Sequence, residues 1–280
     1  MTMRKRKLLF ALFFYTVSTA IVAFWLIPFI ITVFTSTKGL DEIMTSREIW
    51  RPPLAMETSA FRTAWVEGHM RTYFRNTFLI ATPSVLGCMF VASLSAFALA
   101  FYRFRFSRAI LMLFVGGMLI PFQMLLIPVY RLSTHFGLYN TLAGVILFHV
   151  GFQIGFCTFF LRNFMVTIPY SLFESARMDG ASHLAIYRKI VLPLSLPAMA
   201  ALAILEFTWI WNDYLWGLVL LQSDHLKTVT LGLANMQGQY VTQYNVMAAG
   251  SLLAAAIPIG VFLIFNRFFI EGLTVGAVKG

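Results

Sequence analysis

Charged side chains are scarce in this sequence, and their scarcity excludes an ordinary soluble domain. Only 11% of the 280 residues are Asp, Glu, Lys or Arg, whereas 59% are hydrophobic. Soluble domains carry about 25% charged and about 45–50% apolar residues. One soluble core cannot bury so much apolar surface, so the composition favours a chain that lies in a lipid bilayer.

Cysteine is equally rare, and the motifs of several enzyme classes are missing. Cys88 and Cys157 are the two cysteines, and both lie in apolar runs. This setting is typical of small buried residues, not of a disulfide framework or a metal site. The sequence has no G-x-x-x-x-G-K-[ST] loop to hold ATP phosphates, and it has no catalytic cluster that would indicate a membrane-embedded enzyme. We therefore expect no enzyme activity, cofactor or metal in this chain.

The excess of positive charge sets the orientation of the chain in the membrane. The net charge is +10, but the basic residues are scattered at the ends of apolar runs. A nucleic-acid partner would require them in one stripe, so none is expected. With the N-terminus inside, 13 of the 21 Lys and Arg residues fall on inner segments. This bias places both termini in the cytoplasm.

Six apolar stretches are long enough to cross a bilayer, which requires about 20 residues. They are predicted over residues 8–34, 76–102, 109–130, 141–162, 194–221 and 246–270. The first stretch follows MTMRKRK, but it is too long for the core of a signal peptide, so we expect a retained helix. The predicted fold is an all-α polytopic membrane protein with six spans in a single domain, residues 1–280.

A compact charged segment, residues 163–193, lies between the fourth and fifth spans and is expected in the cytoplasm. Ser171 and Glu174 have the spacing of a capping box, which predicts a helix from about residue 172,. Gly180 is placed to end it, and Ser182 is placed to cap a second helix that stops at Pro193.

The first of these helices is too short to be stable alone in water, so it must dock on something. Leu172, Phe173 and Ala176 give it a small apolar face. It can dock either on the protein's own bundle or on another protein that recognises the charges of Glu174, Arg177 and Asp179.

The fifth span carries polar and aromatic residues that are candidates for a substrate path. They are Trp209, Trp211, Asn212, Asp213, Tyr214 and Trp216. Ionisable residues at membrane depth usually face the bundle interior or a cavity. The alternatives are an aromatic belt at the membrane interface and hydrogen bonds that tie helices together.

The fourth and fifth spans hold further polar candidates. His149 and Gln153, four residues apart in the fourth span, are weaker candidates for the substrate path. Glu206 and Asp213 would be the carboxylates of an ion-coupled secondary transporter, which is the rival interpretation. Gly151 and Gly155 form a small-xxx-small pair that favours close helix packing.

The stretch ESARMDGASHLAIYRKIVLPLSLP resembles the EAA---G signature of ABC importer permeases. Glu174, Ala176 and Gly180 stand at signature positions, Ser175 replaces the first alanine, and Pro193 belongs to the tail. The six spans, WNDYLW at 211–216 and the terminal EGLTVGAVKG extend the resemblance over nearly the whole chain. The sequence looks most like the carbohydrate branch, the MalG-like subunits.

This resemblance implies that the chain works in a complex with several other protein subunits. A second permease, two cytoplasmic ATPase subunits that hold ATP and Mg²⁺, and an extracytoplasmic sugar-binding protein are the implied partners, in a bacterial cytoplasmic (inner) membrane. The resemblance also implies a coupling helix seated in an ATPase cleft. Its residues here are Ser171, Leu172, Phe173, Glu174, Ala176, Arg177, Asp179, Gly180 and Ala181. The substrate site of such importers can lie mostly in the partner permease.

The charge bias makes a topology prediction. Single cysteines placed near Glu57 and Gln239 should react with a membrane-impermeant reagent added outside the cell, and those near Ser107 and Ser182 should not. Reaction at position 182 from outside would contradict both the orientation and the coupling role.

Overall fold

The computed structural model describes residues 3–45, 48, 50–236 and 243–274, and these ranges form helices joined by short connections. The helices are α1 Met3–Ser36, α2 Leu40–Thr45, α3 Ser59–Val66, α4 Met70–Phe101, α5 Ser107–Met118, α6 Leu126–His135, α7 Leu142–Met165, α8 Tyr170–Met178, α9 His183–Ile186, α10 Leu192–Trp211, α11 Leu215–Leu220, α12 Val229–Asn235 and α13 Tyr244–Thr274. The predicted all-α fold class is confirmed. Gln239 and the last six residues lie outside the described ranges.

Five helical segments are long and apolar enough to cross a membrane. They are Leu9–Ser36, Met70–Phe101, Leu142–Met165, His183–Trp211 and Tyr244–Arg267. A sixth is possible only as a broken span, because Ser107–Met118 and Phe122–His135 meet at an angle of 95°. The span predicted over 109–130 is therefore present only as two helices that meet at this break. Pro121 lies at the break with an extended backbone, φ −58° and ψ 118°, and its ring and missing amide prevent the helix from continuing.

The fifth span also differs from its predicted bounds of 194–221. It begins earlier, at His183, and ends at Trp211. The helix passes through Pro193 because residues Tyr187–Val191 form a π-helical turn just before it. A proline ring clashes with the carbonyl four residues back in an α-helix, and the wider π-turn accommodates it. The prediction that the second cytoplasmic helix stops at Pro193 is therefore wrong.

The chain divides into two compact units, one formed by residues up to Met70 with Leu233–Leu253, the other by Arg71–Gly232 with the residues from Ala254 onward. In the first unit, α1 exposes large apolar side chains such as Phe13 and Trp25, as expected of a helix surrounded by lipid or by another subunit,. The connection after α1 is held by the buried Lys38, whose Nζ donates to the carbonyl of Glu48 at 3.2 Å.

The second unit has one apolar core, built mainly from α4, α7, α8 and α10. On α4, Ala92 and Ala96 are fully buried within it, and small residues at this spacing let helix backbones approach closely,. On α7, Gly155 has the same role, because an added Cβ would lie 3.4 Å from the carbonyl oxygen of Phe114 on α5. Gly151 faces open space, with nothing within 4 Å of the equivalent position. Only one of the two paired glycines therefore brings helices together.

Gly144, in the first turn of α7, is a position where a side chain should not fit. A Cβ there would collide with the backbone carbonyl oxygen of Leu138, and backbone cannot turn aside as a side chain can. We expect Gly144→Ala to destabilise the protein by about 1–3 kcal/mol, the usual cost of overpacking. Gly151→Ala is the matched control, expected to be neutral or slightly stabilising because alanine favours the helix. The melting temperatures of the two purified variants in detergent test this, and equal values would contradict it.

Candidate functional site

The helix α8 begins earlier than its sequence predicts. Its N-cap is Pro169, with φ −56° and ψ 124°, and no side chain caps the helix at this end. The predicted capping box of Ser171 and Glu174 is therefore wrong. Pro169 has a fixed φ and an extended ψ, so the chain turns into the helix at Tyr170, and Ser171 falls inside the first turn. Both residues of the predicted box are exposed.

The other end of α8 follows the prediction. Gly180 has φ +78°, a left-handed conformation that glycine adopts without strain,. Its amide donates to the carbonyl of Arg177 and the amide of Ala181 donates to that of Ala176, both at 3.0 Å. These two bonds make a Schellman motif. Ser182 then caps α9 by accepting from the amide of Ala185 at 3.3 Å, as predicted.

One face of α8 docks on the second unit's own core. Phe173 is 2% exposed and Ala176 is also buried. The Phe173 ring stacks on Phe101 with centroids 5.2 Å apart and meets the edge of Tyr102 at 5.6 Å. The helix α8 therefore packs on the C-terminal end of α4.

The opposite face of α8 stays exposed. Met178 is 88% exposed and Leu172 is 44% exposed, so the predicted apolar face of Leu172, Phe173 and Ala176 is divided between inside and outside. Glu174, Arg177 and Asp179 are exposed as well. The helix α8 therefore has a buried aromatic face, which we call its root, and an exposed face of apolar and charged side chains, which we call its tip.

Two side-chain hydrogen bonds join α4 to the segment that follows α8. Tyr102 Oη lies 2.5 Å from His183 Nδ1, and Ser93 Oγ lies 2.7 Å from Tyr187 Oη in the buried π-turn. Burial raises the pKa of Tyr102 above its ordinary value, against the opposing effect of the Arg177 charge,. No sequence pattern predicts these pairs, because their members are far apart in the chain.

At the other end of α10, Asp213 organises the break between α10 and α11. Its Oδ1 accepts from the amide of Trp216 at 3.3 Å, and its Oδ2 accepts from that of Gly217 at 3.1 Å. His149 Nε2 lies 3.6 Å from the same Oδ2. The Thr230 hydroxyl donates to the Asp213 carbonyl at 2.5 Å. These contacts favour the alternative in which Asp213 ties helices together.

Two of the predicted aromatic candidates are packing residues in this chain. Trp211 is fully buried, packs edge-on against Phe78 at 4.8 Å, and donates from Nε1 to the carbonyl of Ala254 at 3.1 Å. Trp216 is buried against Phe148, with centroids 3.7 Å apart.

The remaining candidates are accessible. Trp209 is 50% exposed and Tyr214 is 43% exposed, and Asn212 is exposed between them. Within this chain, a ligand can therefore reach Trp209, Asn212 and Tyr214, whereas Trp211 and Trp216 are covered.

Glu206 lies in the core of the second unit. Its Oε1 accepts from Cys157 Sγ at 3.3 Å, and its Oε2 has no hydrogen-bond partner among the described residues. That part of the chain holds no group of three or more His, Cys, Asp or Glu residues able to bind a metal ion. Glu206, on α10, therefore holds one carboxyl group against Cys157 of α7.

The geometry at Asp213 leads to a stability prediction. Asp213→Ala removes the acceptors of two backbone amides, so we expect a loss of about 0.5–2 kcal/mol, the range seen for lost helix caps. Asn212→Ala, at an exposed neighbour, should change stability less. Melting temperatures in detergent and uptake after reconstitution should be measured together. Lost uptake at an unchanged melting temperature would instead indicate that Asp213 lines the substrate cavity, and no change in either would reject both roles.

Known proteins resemble this chain over most of its length. A probable ABC transporter permease protein of Pyrococcus horikoshii is 31% identical over 252 residues, which cover 89% of this chain and 91% of that protein. The arabinooligosaccharides transport system permease protein AraQ of Halalkalibacterium halodurans is 36% identical over 209 residues, 75% of this chain and 74% of the relative.

A similar fold is found in a solved structure, a bacterial ABC transporter involved in the import of the acidic polysaccharide alginate. The TM-score is 0.84 at 22% identity, over 96% of this chain and 99% of that chain. Residues 89–273 match the family described as binding-protein-dependent transport system inner membrane component. The matched region contains α8, its Gly180 turn and the end of α10. The chain therefore belongs to this family, the permease subunits of ABC importers, as its signature segment predicts.

Proposed function

We propose that this chain is one half of the pore of an ATP-driven importer for a sugar or sugar derivative. The observation that carries the proposal is α8, a short helix whose root is packed in the core and whose tip is exposed. The AraQ relative is named for arabinooligosaccharide transport, which supports the sugar class. A second, different permease subunit completes the pore.

The partners and location follow from the same proposal. Two ATPase subunits hold ATP and Mg²⁺ and receive the exposed tip of α8, and an extracytoplasmic binding protein delivers the sugar from the other side. The chain lies in the bacterial cytoplasmic membrane with both termini in the cytoplasm, in agreement with the charge bias,.

The contacts of α8 suggest how force reaches the membrane. Movement of the ATPase subunits displaces the tip, and the Phe173 root transmits this to the end of α4 through Phe101. The Schellman turn at Gly180 and the cap at Ser182 connect α8 stiffly to the helical run that begins at His183. This run ends at Trp211, beside the accessible residues Asn212 and Tyr214. One continuous element therefore links the coupling segment to the candidate substrate path.

An ion-coupled secondary transporter is the rival function, and its two carboxylates have other uses here. The Asp213 carboxylate accepts hydrogen bonds from two backbone amides, and the Glu206 carboxylate accepts one from the Cys157 thiol inside the core. The two functions are separated by inhibitors. Vanadate should abolish uptake by an ATP-driven importer, whereas a proton uncoupler should abolish uptake by the rival.

The coupling mechanism is tested at Gly180. Valine resists the left-handed conformation that this turn requires, at a cost on the order of 1–2 kcal/mol. This cost is small for a bundle of this size, so Gly180→Val should reach the membrane and still bind its partner permease. The ATPase subunits should then bind weakly, or hydrolyse ATP without uptake. Uptake, ATP hydrolysis and co-purification of the ATPase subunits should be measured on the same preparation.

Two further variants control this experiment. Gly180→Asn is the matched control, because asparagine tolerates the left-handed region, and it should retain most coupling. Glu174→Ala removes an exposed charge but no cap bond, so it should reduce coupling mildly without changing the melting temperature. Full coupled uptake by Gly180→Val would refute the mechanism. Loss of this variant from the membrane would show that α8 serves only to pack on its own bundle.

A further inference from the structure

A groove of about 700 Å³ opens in the second unit, in the angle of the broken third span. The walls come from α5, α6 and α7, and Trp209 of α10 closes one side. Its volume lies within the range of about 300–1,000 Å³ that is usual for small-molecule sites. None of the residues that line it is Asp, Glu, Lys, Arg or His.

Backbone geometry keeps this groove open. The bend at Pro121 turns the two halves of the third span apart by 95°. Gly117 and Gly151 both line the groove, and nothing lies within 4 Å of the place where either would carry a Cβ. The space is therefore built by the fold of this unit.

Gln153 points to a ligand that forms hydrogen bonds. It lines the groove, is only 7% exposed, and makes no hydrogen bond to any residue that the structure describes. A side-chain amide has two donors and an acceptor oxygen, and those of Gln153 remain accessible to a ligand in the groove,. A lipid acyl chain would leave these groups unpaired, whereas a hydroxylated ligand would satisfy them.

Aromatic rings supply a complementary apolar surface. Phe148 and Phe152 are stacked with centroids 5.5 Å apart, and Trp209 lies 5.5 Å from Phe156. Trp209 is half-exposed, so a ligand in the groove can contact its ring. Flat rings beside a polar group match a sugar ring, which has apolar C–H faces and hydroxyl groups around its edge.

We propose that this groove binds one or two rings of a neutral sugar during transport, with Gln153 bonded to hydroxyls and Trp209 stacked on a ring face. The proposal rests on the proposed function and narrows its substrate class. An acidic saccharide or a sugar phosphate would give up its hydration here without meeting any cation, which is unfavourable. The chain therefore differs in expected substrate from an importer of an acidic polysaccharide.

The test uses the full complex, with partner permease and ATPase subunits, in lipid nanodiscs. The probes are maltotriose and arabinotriose, which are neutral, and trigalacturonate, which is anionic. Binding is measured by saturation-transfer NMR and by quenching of tryptophan emission. At least one neutral probe should bind, and trigalacturonate should not. Gln153→Leu and Trp209→Ala should each weaken binding by about tenfold, the order expected for one lost contact.

Gln123→Leu is the matched control, since Gln123 is exposed and does not line the groove, and it should bind like the wild type. Preferential binding of trigalacturonate, binding of no neutral probe, or equal binding by all three variants would overturn the proposal. So would a lipid that native mass spectrometry finds in the groove and that sugar does not displace.

Uptake separates this proposal from the one it rests on. If the wild-type complex with its binding protein shows no ATP-driven uptake of any sugar, the proposed function fails. If uptake is ATP-driven and both groove variants bind and transport like Gln123→Leu, only the groove assignment fails.

Discussion

Inside a bilayer, a helix that breaks must find new partners for the backbone groups it releases, since no water is present to bind them. Much of the second unit is arranged around this requirement. Where α10 ends, the Asp213 carboxylate accepts the amides of Trp216 and Gly217, and Thr230 binds its carbonyl. The polar residues at this break have a structural purpose before any contact with substrate is considered.

The helical run from His183 to Trp211 is attached differently at its two ends. At the cytoplasmic end predicted from charge, the chain leaves α8 through a glycine turn with two backbone hydrogen bonds and enters α9 through a serine cap. At the far end, Trp211 is fixed by Phe78 and the Ala254 carbonyl, while Trp209 faces the groove. Rigid attachment at both ends agrees with the coupling role that we propose for this element.

Local features were predictable from the sequence, and long-range ones were not. The Gly180 turn and the Ser182 cap involve residues within five positions, so their sequence signals are sufficient. The capping box predicted at Ser171 and Glu174 is wrong because Pro169, two residues before Ser171, already sets the start of the helix. Trp209 and Trp211 lie about 200° apart around a helix, so they face opposite ways. The sequence does not say which of them is buried, because that depends on α4, more than a hundred residues away.

The π-turn before Pro193 also fixes how this region can change in length. Each residue in an α-helix advances the direction of the following side chains by about 100°. A π-turn holds one residue more than an α-turn. Removal of one residue from Tyr187–Val191 would therefore leave the direction of α10 nearly unchanged, but it would set the Pro193 ring against the carbonyl four residues back,. An added residue would instead rotate α10 and take Glu206 away from Cys157 and Trp211 away from Phe78. Insertions and deletions between Ser182 and Pro193 therefore disturb either the fit of the proline or the packing of α10. The length of this connection is accordingly a stricter constraint on sequence divergence than the identity of most residues within it.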